Sequence, residues 1–204
     1  MSDQPPVRTA LFEEHVRLDA NLVDFHGFEL PIWYTSIKEE HLATRNGAGL
    51  FDVSHMGSFR FKGPNVKAWL ETLATQRVTA VDAPRCAYTH FLDENGHLID
   101  DMIFAVVSEH EILGVPNASM IEVMWEWFTR HIPADGSVQL ENLSDDTAIM
   151  ALQGPQSKSI LDAAFGEGQH VPRFKWRELT ANDLDVSGWI QGTGYTGEAG
   201  YEIF

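Results

Sequence analysis

Between residues 58 and 142 the hydrophobic rhythm of the chain changes several times. Phe59 and Phe61 alternate with Ser58, Arg60 and Lys62, the two-residue period of a half-buried strand, and Gly63-Pro64 ends it. Val66, Trp69, Leu70 and Leu73 then recur at helical spacing. Residues 88–92 and 97–107 read as strands around the turn signal Asp93-Glu94-Asn95-Gly96, and residues 111–115 as a possible third strand. Ile121, Met124, Trp125 and Phe128 mark an amphipathic helix; Trp127 falls off its apolar stripe and is expected on the exposed side. Residues 138–140 close the series. Strand, helix, two or three strands, helix, strand is the split βαβ plan, ferredoxin-like, with helices on one face of an antiparallel sheet.

The flanking segments read differently. Residues 11–17 predict a short helix, residues 23–31 a strand and loop, and residues 37–46 a helix stopped by Gly47 and Gly49. Residues 147–153 predict a strand, and Gly154-Pro155 opens a helix carrying Ile160, Leu161 and Ala164. Residues 184–192 and 201–204 look like strands. The expected fold class is α+β: a discontinuous, β-rich domain made of residues 1–57 and 142–204, interrupted by the ferredoxin-like insertion at 58–141. Tyr-Glu-Ile-Phe ends inside an apolar strand with no turn or cap, so the first domain is expected to be truncated at its C-terminal end.

Composition narrows the functional classes. The 204 residues include 12 Phe and 6 Trp, an aromatic content that predicts a packed core rather than disorder. A formal net charge of −16 argues against binding nucleic-acid phosphates or an anionic membrane surface. The same charge, with 5 Lys among 14 basic residues, leaves open either plain solubility, the favoured reading, or a salt-adapted source. No apolar run reaches the length of a membrane span and no apolar signal region opens the chain, so it reads as cytoplasmic. A single cysteine, Cys86, excludes an internal disulfide framework; it reads as a small buried core residue rather than a nucleophile.

Candidate chemistry begins with Asp100 and Asp101, adjacent within the apolar run Leu98-Ile99-Asp100-Asp101-Met102-Ile103-Phe104. Neighbours on a strand point to opposite faces, so one carboxylate faces the covered side, where it needs a partner or a raised pKa. A functional carboxylate and a strand-edge acid that pairs with Arg or caps a turn stand level on these residues. Asp52-Val53-Ser54-His55-Met56 holds an acid, a hydroxyl and an imidazole, but lacks the glycines of a nucleophile elbow. Ser54 and His55 are expected to satisfy backbone groups in a tight turn. The nine His show no recognised metal-ligand spacing, so no metal is expected. The Gly-rich run 192–202 lacks the Gly-Lys-Ser or Gly-Lys-Thr of a phosphate loop. Glu202 lies inside an apolar strand; the residues alone favour an outward Glu on a hairpin over a ligand for a flat, N–H-donating heterocycle.

Taken together, Val-Asp-Phe-His-Gly-Phe-Glu-Leu-Pro (23–31), Gly-Leu-Phe-Asp-Val-Ser-His-Met (49–56), Leu-Ile-Asp-Asp-Met-Ile (98–103), Ala-Leu-Gln-Gly-Pro-Gln (151–156) and Gly-Tyr-Thr-Gly-Glu-Ala-Gly-Tyr-Glu-Ile (194–203) resemble the T-proteins of the glycine cleavage system, in order and spacing. The resemblance covers nearly the whole chain. It implies three domains around a folate channel, with the first and second represented here and the third, a C-terminal barrel carrying a folate-contacting arginine, absent. It implies an aminomethyltransferase that takes an aminomethyl group from the lipoyl arm of the H-protein, passes its carbon to tetrahydrofolate and releases ammonia, with no metal and no covalent enzyme intermediate. Asp100 corresponds to the catalytic aspartate. Glu202 corresponds to the glutamate that holds the pterin ring, and Met56, Tyr88, Asn117 and Tyr195 fall at or near pterin-site positions. His97 departs from the family, which commonly has a second Gly there.

Two rival readings go with this resemblance. One is a related folate-dependent methyltransferase or demethylase acting on a methylated amine or sulfonium. The other is a non-catalytic folate-binding accessory protein; those carry a Cys in place of the last hairpin, where this chain has Gly-Tyr-Thr-Gly-Glu. Whether the chain turns over without further domains is left open by its sequence.

Overall fold

A computed structural model of the chain describes residues 5–181 and 186–204. In chain order its elements are β1 (Val7–Arg8), α1 (Phe12–Arg17), β2 (Asn21–Phe25), β3 (Phe28–Trp33), α2 (Ile37–Asn46), β4 (Gly49–Asp52), β5 (Phe59–Lys62), α3 (Val66–Leu73), β6 (Cys86–Leu92), β7 (Leu98–Ser108), β8 (Glu111–Pro116), α4 (Ile121–His131), β9 (Gln139–Asn142), β10 (Met150–Gln153), α5 (Ser157–Phe165), β11 (Trp176–Ala181), β12 (Val186–Gln191) and β13 (Gly200–Ile203). The class is mixed α and β, with three sheets and short helices among the described residues. The contacts divide it into two units: residues 1–55, 148–171 and 179–204, and residues 56–147 with 172–178.

In the second unit the sheet order is β6-β7-β8-β5-β9, with every pairing antiparallel. Two strands, β7 and β8, therefore lie between β5 and β6, where a minimal split βαβ unit has one. The period-two pattern placed Phe59 and Phe61 of β5 correctly in the core; Met102, Phe104 and Val106 of β7, which it did not single out, are fully buried on the same face. Helices α3 and α4 cover that face with Val66, Leu70, Met124 and Phe128. Phe128 is the hub, its ring 5.0 Å from Phe61, 5.1 Å from Phe91 and 6.2 Å from Phe59, each edge-on. Trp127 departs from expectation. It is half-buried against the same core, tilted on the His131 ring at 4.2 Å, because a bulky indole beside the stripe reaches the covered face. Cys86 is buried, as expected of a small core residue.

In the first unit, β10 lies between β4 and β13 in the order β11-β12-β13-β10-β4. Leu152, Ile190, Tyr201 and Ile203 bury one face against Leu161 of α5. Helix α2 spans its expected range; Ser36 caps it, accepting the Glu39 N–H at 3.2 Å, and Gly47 ends it. The expected strand and loop at 23–31 is instead a hairpin of β2 and β3, joined at His26 and Gly27, both in the left-handed region (φ 52° and 87°). Strand β11 had no clear alternating signal. Residues 184 and 185 of the strand expected at 184–192 lie outside the described residues, and β12 covers 186–191.

Candidate functional site

Two clusters of buried polar groups stand out, one in each unit. In the second unit, β7 carries Asp100 on the same face as Met102 and Phe104, opposite Phe91 of β6. Asp101 takes the other face. Strand β8 ends at Pro116, paired with Met102, so Asn117 emerges beside the two aspartates. Its side-chain amide donates to Asp100 Oδ1 at 2.8 Å, to the Asp101 carbonyl at 3.1 Å and to Asp101 Oδ1 at 3.4 Å. The Tyr88 hydroxyl donates to Asp101 Oδ2 at 2.6 Å.

The two carboxylates are thus unequal. Asp101 is satisfied by Tyr88 and Asn117. Asp100 is 6% exposed, and its Oδ2 is buried without a hydrogen-bond partner. Burial pushes the Asp100 carboxyl above the usual carboxylate range, against the opposing pull of the Asn117 side chain and nearby backbone N–H groups; the Asp101 charge adds to the rise. The Tyr88 phenol is pushed up to about 12, first by its hydrogen bond to Asp101. A desolvated carboxylate oxygen without a donor is costly, so an N–H donor or a cationic group placed at Oδ2 gains strongly there.

In the first unit, Glu202 on β13 points to the face opposite Tyr201 and Ile203. It is not the outward glutamate that the residues alone favoured. It is 4% exposed, accepts a very short hydrogen bond from the Thr193 hydroxyl, and has its pKa raised by burial despite that bond. The Gly-rich run is tied down by Gln153, buried at the end of β10. The Gln153 amide donates to the Thr193 carbonyl at 3.2 Å and accepts from the Thr196 hydroxyl at 2.8 Å. A Cβ on Gly194 would lie 2.1 Å from Gln153 Oε1, so only glycine fits there. Gln153 and Thr193 were not singled out from the sequence; a Gln at the end of the apolar run 149–153, ahead of Gly-Pro, was the available signal.

The structure therefore brings Asp100, Asp101 and Asn117 together, with Tyr88 joined to them through Asp101. It places Met56, buried, in the same unit, and Glu202 and Tyr195 in the other; Tyr195 is 65% exposed. The Asp52–His55 segment also differs in part from expectation. Ser54 does satisfy backbone groups, exchanging hydrogen bonds with Ile149, but His55 Nδ1 is buried without a partner because Phe25 and Phe28 enclose the ring. Asp52 instead serves Thr9 and His15. Among the described residues no group of three or more His, Cys, Asp or Glu is placed to hold a metal ion, and no helix is long and apolar enough to cross a membrane.

Comparison with known proteins agrees with the motifs. The family model of the GCVT N-terminal domain matches residues 11–204. The aminomethyltransferase of Thermotoga maritima is 39% identical over 197 residues, covering 96% of this chain and 53% of the relative. That of Bacillus mycoides is 39% identical over 198 residues, with 97% and 53% covered. The crystal structure of glycine cleavage system aminomethyltransferase T from Bartonella henselae superposes with a TM-score of 0.87 at 28% identity, over 97% of this chain and 53% of that one. The chain spans about half the length of these relatives. A match running from residue 11 to residue 204 leaves no large segment outside it, and the chain belongs to the GCVT N-terminal domain family.

Proposed function

We propose that this chain is the folate-binding part of an aminomethyltransferase of the glycine cleavage system. It passes the aminomethyl carbon from a lipoylated H-protein to tetrahydrofolate, with ammonia as the other product. The observation that carries the reading is the buried Oδ2 of Asp100, an acceptor without a donor. A reduced pterin offers N–H donors and the transferred carbon carries developing positive charge, and both suit a desolvated carboxylate. Glu202, buried and raised in pKa, is a second acceptor for pterin N–H groups. Met56, Tyr88, Asn117 and Tyr195 complete the proposed pterin contacts, Tyr88 as an aromatic face held in place by Asp101. The relatives named aminomethyltransferase support this donor over a methylated amine or sulfonium.

In this reading residues 58–141 form the inserted ferredoxin-like domain, and 1–57 with 142–204 the first folate-binding domain. The enzyme is cytoplasmic and binds neither nucleic acid nor membrane, consistent with the net charge of −16. Much of the rate comes from holding the two bound partners in line.

The test is methylenetetrahydrofolate formation from aminomethyl-lipoyl H-protein, run with the 204-residue chain and with the full gene product. Turnover by either supports the proposal. Folate binding with no turnover by either moves the reading to another one-carbon donor or to a non-catalytic folate-binding protein.

A further inference from the structure

Two adjacent carboxylates on one strand pose a question of selection: what makes one of them the reactive group? Side-chain alternation sends them to opposite faces, but both lie within reach of one side chain, that of Asn117. An Asn amide carries two N–H donors. One is used on Asp100 Oδ1 at 2.8 Å; the other reaches the Asp101 carbonyl at 3.1 Å and Asp101 Oδ1 at 3.4 Å. Asn117 is itself fixed. It follows Pro116, which pairs with Met102 in the sheet, and its carbonyl accepts the Met120 N–H at 2.9 Å.

The consequence is directional. A carboxylate rotates about its Cβ–Cγ bond unless one oxygen is held. Asn117 holds Oδ1, and Oδ2 is left buried and without a partner. Asp101, meanwhile, spends its oxygens on Tyr88 and Asn117. We propose that Asn117 is a positioning residue: by clamping Oδ1 of Asp100 to the Asp101 peptide, it presents Oδ2 as the single acceptor for an amine N–H of the bound substrate and selects Asp100 over Asp101. This rests on the reading of Asp100 as the catalytic carboxylate, but the clamp can be measured without turnover. The titratable group acting on Asp100 is Asp101 on its own strand, while the Asp100 charge in turn helps raise Tyr88 on β6. Asn117 adds no charge, so its effect on Asp100 comes from hydrogen bonding alone.

The experiment compares Asn117→Ala and Asn117→Gln with the parent chain. The side-chain carboxyl carbons of Asp100 and Asp101 are followed by NMR through a pH titration of the unliganded protein. Loss of the clamp removes a donor that favours the charged form, so the Asp100 midpoint moves upward in Asn117→Ala, while Asn117→Gln returns part of the shift. In the full gene product, kcat falls by about 100-fold and the acid limb of its pH profile moves up with Asp100, beyond any rise in KM for tetrahydrofolate from the lost pterin contact. A folded Asn117→Ala with an unmoved Asp100 titration overturns the proposal. So does an unchanged kcat, which leaves Asn117 only the pterin contact already proposed for it. If Asn117→Ala does not fold, the Gln variant decides by the same two readouts. If the parent shows no turnover with any aminomethyl donor, the functional reading fails, while the titration still judges the clamp.

Discussion

His15 Nε2 and Asp52 Oδ2 lie 2.8 Å apart, their side chains 5% and 1% exposed. An ionised Asp52 is acceptor-only, so His15 donates to it through Nε2, and its Nδ1 shares a hydrogen bond with the Tyr34 hydroxyl, 2.8 Å away. Thr9 also donates to Asp52 at 2.6 Å, and the Ser54 N–H at 2.9 Å. One carboxylate thereby ties β4 to α1, to the loop before it and, through His15, to the end of β3. Burial raises its pKa, but the hydrogen bonds from Ser54, Thr9 and His15 outweigh this and hold it below the usual carboxylate range. A depressed folded pKa contributes stability that is present above the unfolded value, about 3.9, and lost as pH falls through the folded one. Asp52→Asn should therefore cost the first unit about 2–3 kcal/mol at neutral pH, with a smaller cost in acid. Urea titrations at several pH values check this; a cost that does not shrink in acid contradicts it.

Asp100→Asn keeps the shape of the side chain and removes its charge. Turnover should fall by about 10²–10⁴-fold with folate binding largely kept, as read by single-turnover kinetics and fluorescence titration. Asp101→Asn should cost less. If Asp101→Asn is the inactive variant and Asp100→Asn the active one, the roles assigned to the pair are wrong.

Glu202 gives the opposite pH signature to Asp52. Burial raises its folded pKa, despite the Thr193 bond, so the folded state holds its proton more tightly than the unfolded chain does. Its unfavourable effect is absent well below the unfolded value of about 4.3 and grows as pH rises through the folded pKa. Glu202→Gln should flatten that decline in denaturation midpoint while weakening pterin binding by about 10-fold. Unchanged pterin affinity in a folded variant removes Glu202 from the site.

Gly194→Ala would force a Cβ to within 2.1 Å of Gln153 Oε1, inside a buried, hydrogen-bonded turn. The expected cost is about 1–3 kcal/mol, with faster hydrogen exchange at Thr193 and Thr196. Gly197, whose added Cβ would meet nothing within 4 Å, has φ 78°, so its alanine variant carries only the backbone strain of the left-handed region. Thermal melts of the two variants separate crowding from strain.

Much of this was legible along the chain. The alternation of Phe59 and Phe61, the helical spacing of Val66, Trp69 and Leu70, and the limits of α2 from residue 37 to residue 46 depend on contacts a few residues apart, and they appeared where expected. The hairpin at His26 and Gly27 was missed because two consecutive left-handed residues leave only a weak mark when the first is not Gly or Asn. Asp100 could be singled out as an acid in an apolar run, but its burial could not. Glu202 was read from its neighbours as a hairpin glutamate.

The sequence by itself determined the family, most of the element types and the short list of chemical groups, because motif order and hydrophobic period are local properties. Only the tertiary structure decided which of those groups are buried and who satisfies them. Asn117 meets Asp100 across 17 positions, Asp52 meets His15 across 37, and Gln153 meets Thr196 across 43. A carboxylate's pKa and its free lone pairs depend on desolvation and on partners brought from afar, and no window of sequence contains them.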